Sequence, residues 1–355
     1  MTVFSEHHDR IDAILPKIVS WYRENKIDLP WRREPTPYHV WISEIMLQQT
    51  RIEAVLSYYK RFLEALPTVK DLAEVDDERL MKLWQGLGYY SRARNLKKAA
   101  IAVMNDYGGE LPSSATALRS LPGIGDYTAG AIASIAYGKS EPAVDGNVLR
   151  VISRMLLSYD DIMLPSVKKE VTALLRAHYP QGKDAAFLTE GLMELGERVC
   201  IPNGTPHCEV CPVRELCLAK MQGVASELPV RNVKKEKRIE EKTVLLMRSP
   251  SGRYAINKRK SEGLLADMWE LVNFDGIGAE GDVESYLAEQ CIRVNKIEPL
   301  PDSKHIFTHV IWQMKGFSVD TLSESEAFVW KTKEEILQGY AIPTAFRAYV
   351  KLMKE

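Results

Sequence analysis

Residues 121–150 read LPGIGDYTAGAIASIAYGKSEPAVDGNVLR, and the fold turns on this stretch. Leu121-Pro122-Gly123-Ile124-Gly125 sets two glycines around one apolar residue, between two helical runs. That pattern predicts a tight hairpin whose backbone N–H groups face outward. The next helix starts near Tyr127-Thr128-Ala129, and its N-terminus favours an anion. Gly123, Gly125 and this helix start therefore read as a clamp for a phosphate backbone, which holds a nucleic acid without reading its bases. An ordinary tight turn is the other reading of the string taken alone.

Further on, Asp145 stands in Val144-Asp145-Gly146-Asn147-Val148, ahead of a helix carrying Val148, Ile152 and Met155. An N-cap position there would keep a carboxylate ionised through the helix dipole. Upstream, Glu44 lies in Val40-Trp41-Ile42-Ser43-Glu44-Ile45-Met46-Leu47-Gln48. Its helical neighbours are Val40, Trp41, Leu47 and Gln48, three of them apolar. A carboxyl so placed is desolvated, its pKa rises and it keeps a proton available. One acid and one anion with pKa values pushed apart are what glycosidic cleavage needs, the first for the leaving group and the second for the oxocarbenium ion. Taken singly, Asp145 is also a plain helix cap and Glu44 a rim residue of a surface helix.

Four of the five cysteines, Cys200, Cys208, Cys211 and Cys217, are spaced C-x7-C-x2-C-x5-C. Four thiolates this close suit one tetrahedral ion or one cubane cluster. Zinc sites come as two close pairs and only the middle two cysteines here form one, so the spacing leans to [4Fe–4S] while leaving zinc and plain buried thiols open. Cys291 stands apart and reads as a buried, inert thiol.

Outward from these motifs, residues 1–224 read as helical. Apolar residues recur at three and four in Ile11, Ile14, Leu15 and Ile18, and again in Trp41, Ile45, Ile52 and Val55. Further helices are predicted near 91–106, 127–137, 147–158, 166–177 and 185–198. The basic run Arg231–Arg238 marks a linker over 225–238. Residues 239–355 read as an α+β domain, with strands over Thr243–Met247, Tyr254–Asn257, Ile306–Trp312 and Phe328–Trp330 and helices near 282–290 and 344–353.

The 355 residues are 45% hydrophobic and 27% charged, an ordinary globular balance. Net charge is −1, so bulk charge offers no hint of a nucleic-acid partner and any basic groups must be concentrated locally. There is no run of about 18 apolar residues, and the opening MTVFSEHHDR lacks the apolar stretch of a signal peptide. The chain is therefore expected inside the cell.

The order of hairpin, aspartate and cysteine cluster resembles the MutY branch, the adenine DNA glycosylases, of the helix-hairpin-helix, endonuclease III superfamily. The resemblance runs from about residue 10 to the end. It implies a mainly α N-terminal region with the helix-hairpin-helix glycosylase fold and an iron–sulfur cluster loop, plus a C-terminal α+β Nudix-like domain. It also implies a [4Fe–4S] cluster on Cys200, Cys208, Cys211 and Cys217, although family clusters carry six residues between the first two cysteines and this chain has seven.

The activity implied is base-excision repair: hydrolysis of the N-glycosidic bond of adenine mispaired with 8-oxoguanine or guanine. Glu44 would protonate adenine N7. Asp145 would stabilise, or transiently bond, the sugar cation, and Asn147 would hold Asp145. Tyr127 stands where lyase-competent relatives place a lysine, so no Schiff base forms and strand cutting is not expected. Glu190 matches a residue that contacts the adenine amino group, and Trp31 and Arg32 match pocket walls. The target nucleotide must be flipped out of the stack. Gln49 and Tyr89 resemble family wedge residues, with Thr50 and Leu87 beside them and Arg92 and Arg94 near enough for phosphates. Phe307-Thr308-His309 falls where the family carries a Phe-Ser-His loop that senses 8-oxoguanine. Residues 263–271 match the Nudix turn, but no REx2EE-type run of metal carboxylates follows, so pyrophosphatase activity is not expected. The partner implied is double-stranded DNA, with no membrane, and the protein is expected as a monomer in the cytoplasm, associated with a nucleoid of bacterial type.

Three other readings compete. An endonuclease III-like pyrimidine glycosylase with lyase activity is disfavoured by Tyr127 and by the second domain. A lesion-binding protein that does not cut has no use for a buried Glu44 beside Asp145. A Nudix-type nucleotide hydrolase lacks its carboxylates.

Overall fold

The computed structural model describes residues 3–232 and 236–354; Val233, Lys234 and Lys235 of the expected linker lie outside the described residues. Runs with three- and four-residue apolar spacing fold as helices: α1 (His8–Asn25), α2 (Pro30–Arg33), α3 (Pro37–Leu47), α4 (Ile52–Ala65), α5 (Val69–Glu74), α6 (Asp77–Trp84), α7 (Ser91–Asp106), α8 (Ala115–Arg119), α9 (Asp126–Ala131), α10 (Gly146–Met155), α11 (Pro165–His178), α12 (Lys183–Arg198) and α13 (Leu218–Met221). Local chemistry sets many of their starts. Pro30, Pro37 and Pro165 occupy first-turn positions, where the missing N–H costs nothing. Thr36, Asp76, Ser114 and Asp145 accept backbone N–H bonds as N-caps. The helix expected over 127–137 is α9 continued by a π-helical segment, Ile132–Ala136.

The chain divides into two compact units, one of Met1–Glu74 with Asn95–Val233 and the other of Val75–Arg94 with Lys234–Glu355. In the first unit, Ile11, Ile14 and Ile18 of α1 share a core with Val148, Val151 and Ile152 of α10 and with Leu188, Leu192 and Leu195 of α12. This core fixes α10 and α12.

The second unit is built on β1 (Arg238–Arg248), β2 (Tyr254–Lys258), β3 (Trp269–Asp275), β4 (Val294–Ile306), β5 (Val310–Thr321) and β6 (Val329–Lys331). The sheet order is β4-β5-β1-β3-β2-β6, with β1 and β5 parallel and the other pairs antiparallel. Two apolar clusters accompany the sheet. One holds Trp312, Ile336, Phe346 and Tyr349; the other holds Val283, Leu287, Phe317 and Trp330. The helices are α14 (Glu280–Glu289), α15 (Lys333–Gly339) and α16 (Arg347–Val350). Residues 75–94 join this unit by named bonds: Lys82 Nζ donates to Leu337 O, Gln85 Nε2 to Ile342 O at 3.0 Å, and Arg94 to Ala266 O.

Several expectations are corrected. The strand expected over Ile306–Trp312 is a β4–β5 hairpin, with Phe307 N bonded to Val310 O at 2.8 Å. β4 went unread because Pro299 and Pro301 interrupt its pattern; it is an edge strand, where proline is tolerated, and its register shifts between Leu300 and Ser303. The helix near 344–353 is reduced to a 3-10 turn, Thr344–Phe346, and the short α16. Cys291 is exposed, not buried.

The fold class is corrected in one respect: the iron–sulfur cluster loop is not part of it. Cys200, Cys208, Cys211 and Cys217 line one small cavity. Among the described residues, no group of three or more His, Cys, Asp or Glu is disposed to hold a metal ion. Burial pushes the Cys208 and Cys217 thiols up, and Cys211 up to about 12. Among the described residues no helix is long and apolar enough to cross a membrane.

Candidate active site

A cavity of about 390 Å³ opens in the first unit, within the roughly 300–1,000 Å³ of small-molecule sites. Its lining includes Trp31, Arg32, Glu44, Thr50, Tyr127, Asp145, Asn147 and Glu190. All eight were singled out in the sequence, although they come from six separate stretches of it.

Glu44 sits on α3, whose burial runs nearly all round: Val40, Trp41, Ile42, Ser43, Ile45 and Met46 are buried with it. The carboxyl is 5% exposed. Burial pushes its pKa up to about 7, against a hydrogen bond with Tyr127 and the charge of Arg32, which lower it; the charges of Glu190 and Asp145 add to the rise. The same burial holds the Tyr127 phenol well above its ordinary value, with the Glu44 and Asp145 charges adding to it. Tyr127 Oη also lies 3.8 Å from Met193 Sδ.

Asp145 is the N-cap of α10. It accepts from Asn147 N at 2.9 Å, Val148 N at 2.8 Å and Asn147 Nδ2 at 3.0 Å. Sequence reasoning expected these bonds and the dipole to hold it ionised and apart from Glu44. Burial outweighs them, and the carboxyl is raised above its usual value. The two carboxyls therefore shift in the same direction, Glu44 to about 7.

Sequence reasoning missed the polar wall behind the pocket. Arg150 donates to Asn147 Oδ1 at 3.0 Å and to Gly196 O at 2.8 Å, fixing the amide that holds Asp145. Glu190 Oε2 accepts from Tyr22 at 2.9 Å, and Glu190 Oε1 lies 3.6 Å from Arg32 Nε. Arg32 NH1 instead bonds Glu194 Oε2 at 2.6 Å, and Glu194 Oε1 accepts from Arg198 at 2.6 Å. The available signals were Arg150 one turn beyond Asn147 on α10 and acids Glu190, Glu194 and Glu197 at one-turn spacing on α12.

The other nominated residues lie elsewhere. Gly123 is exposed at the hairpin with φ +78°, and Gly125 caps α9. Gln49 is exposed with φ +57°. In the second unit, Tyr89, Phe307, Thr308 and His309 line a cavity of about 440 Å³, and the Tyr89 and Thr308 hydroxyls are hydrogen-bonded. Leu87 is buried there, with 7% exposure.

Residues 42–179 match the HhH-GPD superfamily of base excision DNA repair proteins, and residues 243–352 match the NUDIX domain. An adenine DNA glycosylase of Mus musculus is 31% identical over 415 aligned positions, covering 99% of this chain and 80% of that protein. This chain belongs to the adenine DNA glycosylase family. The family's Homo sapiens member is 41% identical over 221 positions, 60% of this chain; the match spans only 40% of that relative's length. Among solved structures, a thermostable thymine-DNA glycosylase superposes with a TM-score of 0.53 at 30% identity, over 60% of this chain and 98% of that one. Family membership does not restore the cofactor: the expected [4Fe–4S] cluster, and metal binding with it, is set aside because the described cysteines, histidines and carboxylates offer no metal-holding group.

Proposed function

We propose that this chain is a monofunctional adenine DNA glycosylase, hydrolysing the N-glycosidic bond of adenine opposite 8-oxoguanine or guanine in double-stranded DNA. The observation that carries the reading is a buried Glu44, pushed up to about 7, in one cavity with Asp145. At neutral pH about half of such a group holds its proton. Glu44 gives it to N7 of the flipped adenine, so the base leaves neutral with the electron pair of the broken C–N bond. Asp145 sets its charge against the oxocarbenium ion, with Asn147 and the first turn of α10 orienting it. Water adds to the sugar cation and yields a proton to a carboxylate. Tyr127 offers a phenol, not an amine, so the sugar is not captured as a Schiff base and the strand stays intact. Similarity to the adenine DNA glycosylases supports the choice of base.

Around this chemistry, Gly123 and Gly125 clamp phosphates, Gln49, Thr50, Leu87 and Tyr89 support the opened duplex, and Phe307, Thr308 and His309 read the opposing lesion. Trp31, Arg32 and Glu190 bound the flipped base. In this reading residues 1–224 form the catalytic region, 225–238 the linker and 239–355 the lesion-recognition domain. The chain acts as a monomer, with the nucleoid in a cytoplasm of bacterial type.

The test is single-turnover base release from duplexes with adenine opposite 8-oxoguanine, guanine or thymine, and thymine or an oxidised pyrimidine opposite guanine. Release of adenine from the first two alone, abolished by Glu44→Gln and by Asp145→Asn, is expected. Release of either pyrimidine would move the chain to the pyrimidine glycosylases, and a borohydride-trapped adduct would move it to the lyases.

A further inference from the structure

The network behind the base pocket is shaped around one residue that does not line it. Glu194 is 2% exposed, and each of its oxygens takes a charged donor at 2.6 Å, Arg32 from one side and Arg198 from the other. Arg32 thereby commits Nη1 to Glu194 and holds Glu190 as an ion pair alone, with Nε at 3.6 Å from Oε1, beyond a hydrogen bond. Tyr22 occupies only Oε2 of Glu190. Its ring lies under the Arg32 guanidinium, 5.4 Å from centroid to carbon, and so helps fix that cation. Glu190 lines the pocket, and its Oε1 is left with Arg32 as an ion-pair partner at 3.6 Å and without a hydrogen bond from it.

We propose that Glu194 is a positioning residue for base selection: by drawing Arg32 away from Glu190, it keeps Glu190 Oε1 open to accept a hydrogen bond from an exocyclic amino group. The inference rests on the adenine-releasing reading above. Two carboxylates compete for one guanidinium, and the pair nearest in space wins it. Without the charge at 194, Glu190 is the carboxylate already ion-paired with Arg32. The guanidinium closes onto Oε1, and a base with an amino group gains nothing over one without.

The measurement is single-turnover release of adenine and of unsubstituted purine, which lacks the 6-amino group, each opposite 8-oxoguanine, by the full chain. Wild type should prefer adenine. Glu194→Gln should cut that preference by about tenfold or more, mostly by slowing adenine, while Glu194→Asp, which keeps the charge, restores part of it. A merely structural role would slow both bases alike and leave the ratio unchanged, and that result overturns the proposal. Should Glu194→Gln not fold, Glu194→Gln with Arg198→Gln removes one charge of each sign and carries the same expectation. Adenine release by wild type with an unchanged ratio in the variants sinks this inference alone; no release by wild type sinks the proposed function with it.

Discussion

At the scale of single residues, Glu44 makes the sharpest commitments. Its carboxyl holds a proton more tightly folded than unfolded, since burial raises it from 4.5 to about 7. Stability from this group is full below pH 4.5 and falls as pH rises to about 7. Glu44→Gln should therefore be more stable than wild type at pH 8, by on the order of 3 kcal/mol, with the gain gone near pH 4; urea titrations at the two pH values check it. In the proposed mechanism the acid is also the active form, so adenine release should fall tenfold per pH unit well above 7, and a flat profile to pH 9 would rule Glu44 out as the donor. Asn147→Ala removes the Nδ2 bond to Asp145 and the seat of Arg150. A roughly tenfold to hundredfold slower single turnover is expected, with duplex binding retained. Much at this scale was legible: apolar neighbours on both sides of Glu44, and a cap motif at Asp145. The sign of the Asp145 shift was not, because capping bonds are local and visible in sequence while burial comes from elements that sequence does not place together.

At the scale of elements, the hairpin before α9 depends on one backbone angle and one close approach. Gly123 has φ +78°, and a Cβ there would meet Asn95 Cβ of α7 at 2.6 Å. Gly123→Ala is expected to cost about 1–3 kcal/mol and to weaken non-specific duplex binding, with a shallower salt dependence. Wild-type melting and an unchanged salt slope would remove the hairpin from the DNA-facing surface. Helices α10 to α12 were readable within a few residues because apolar spacing and caps act within a single turn. β4 was not, because prolines at a sheet edge look like breakers until the neighbouring strand is known. The cysteine loop misled for a related reason. Spacing along the chain says how near four thiols come, but not how the folded chain disposes them.

At the scale of the whole molecule, the division of the chain runs through its first region. Residues 75–94 group with the C-terminal strands, through Lys82, Gln85 and Arg94. A chain ended after Asn232 should therefore melt at least about 4 °C below the intact protein; equal melting temperatures would mean that α6 needs no partner from the later sequence. Bulk charge of −1 gives no hint of DNA, and the proposed function places recognition in a hairpin and a pocket instead. By itself the sequence determined the helical first region, the α+β second one, the turn chemistry at Gly123 and Gly125 and the apolar setting of Glu44. Each of these is written in residues within one helical turn or one strand of each other. Only the tertiary structure decided that Arg32 turns to Glu194, that Asp145 rises with Glu44, that the cysteines form no metal-holding group among the described residues and that residues 75–94 belong with the sheet. These depend on burial, side-chain disposition and charge partners, and such quantities arise between segments far apart in the chain, where neither periodicity nor spacing carries information.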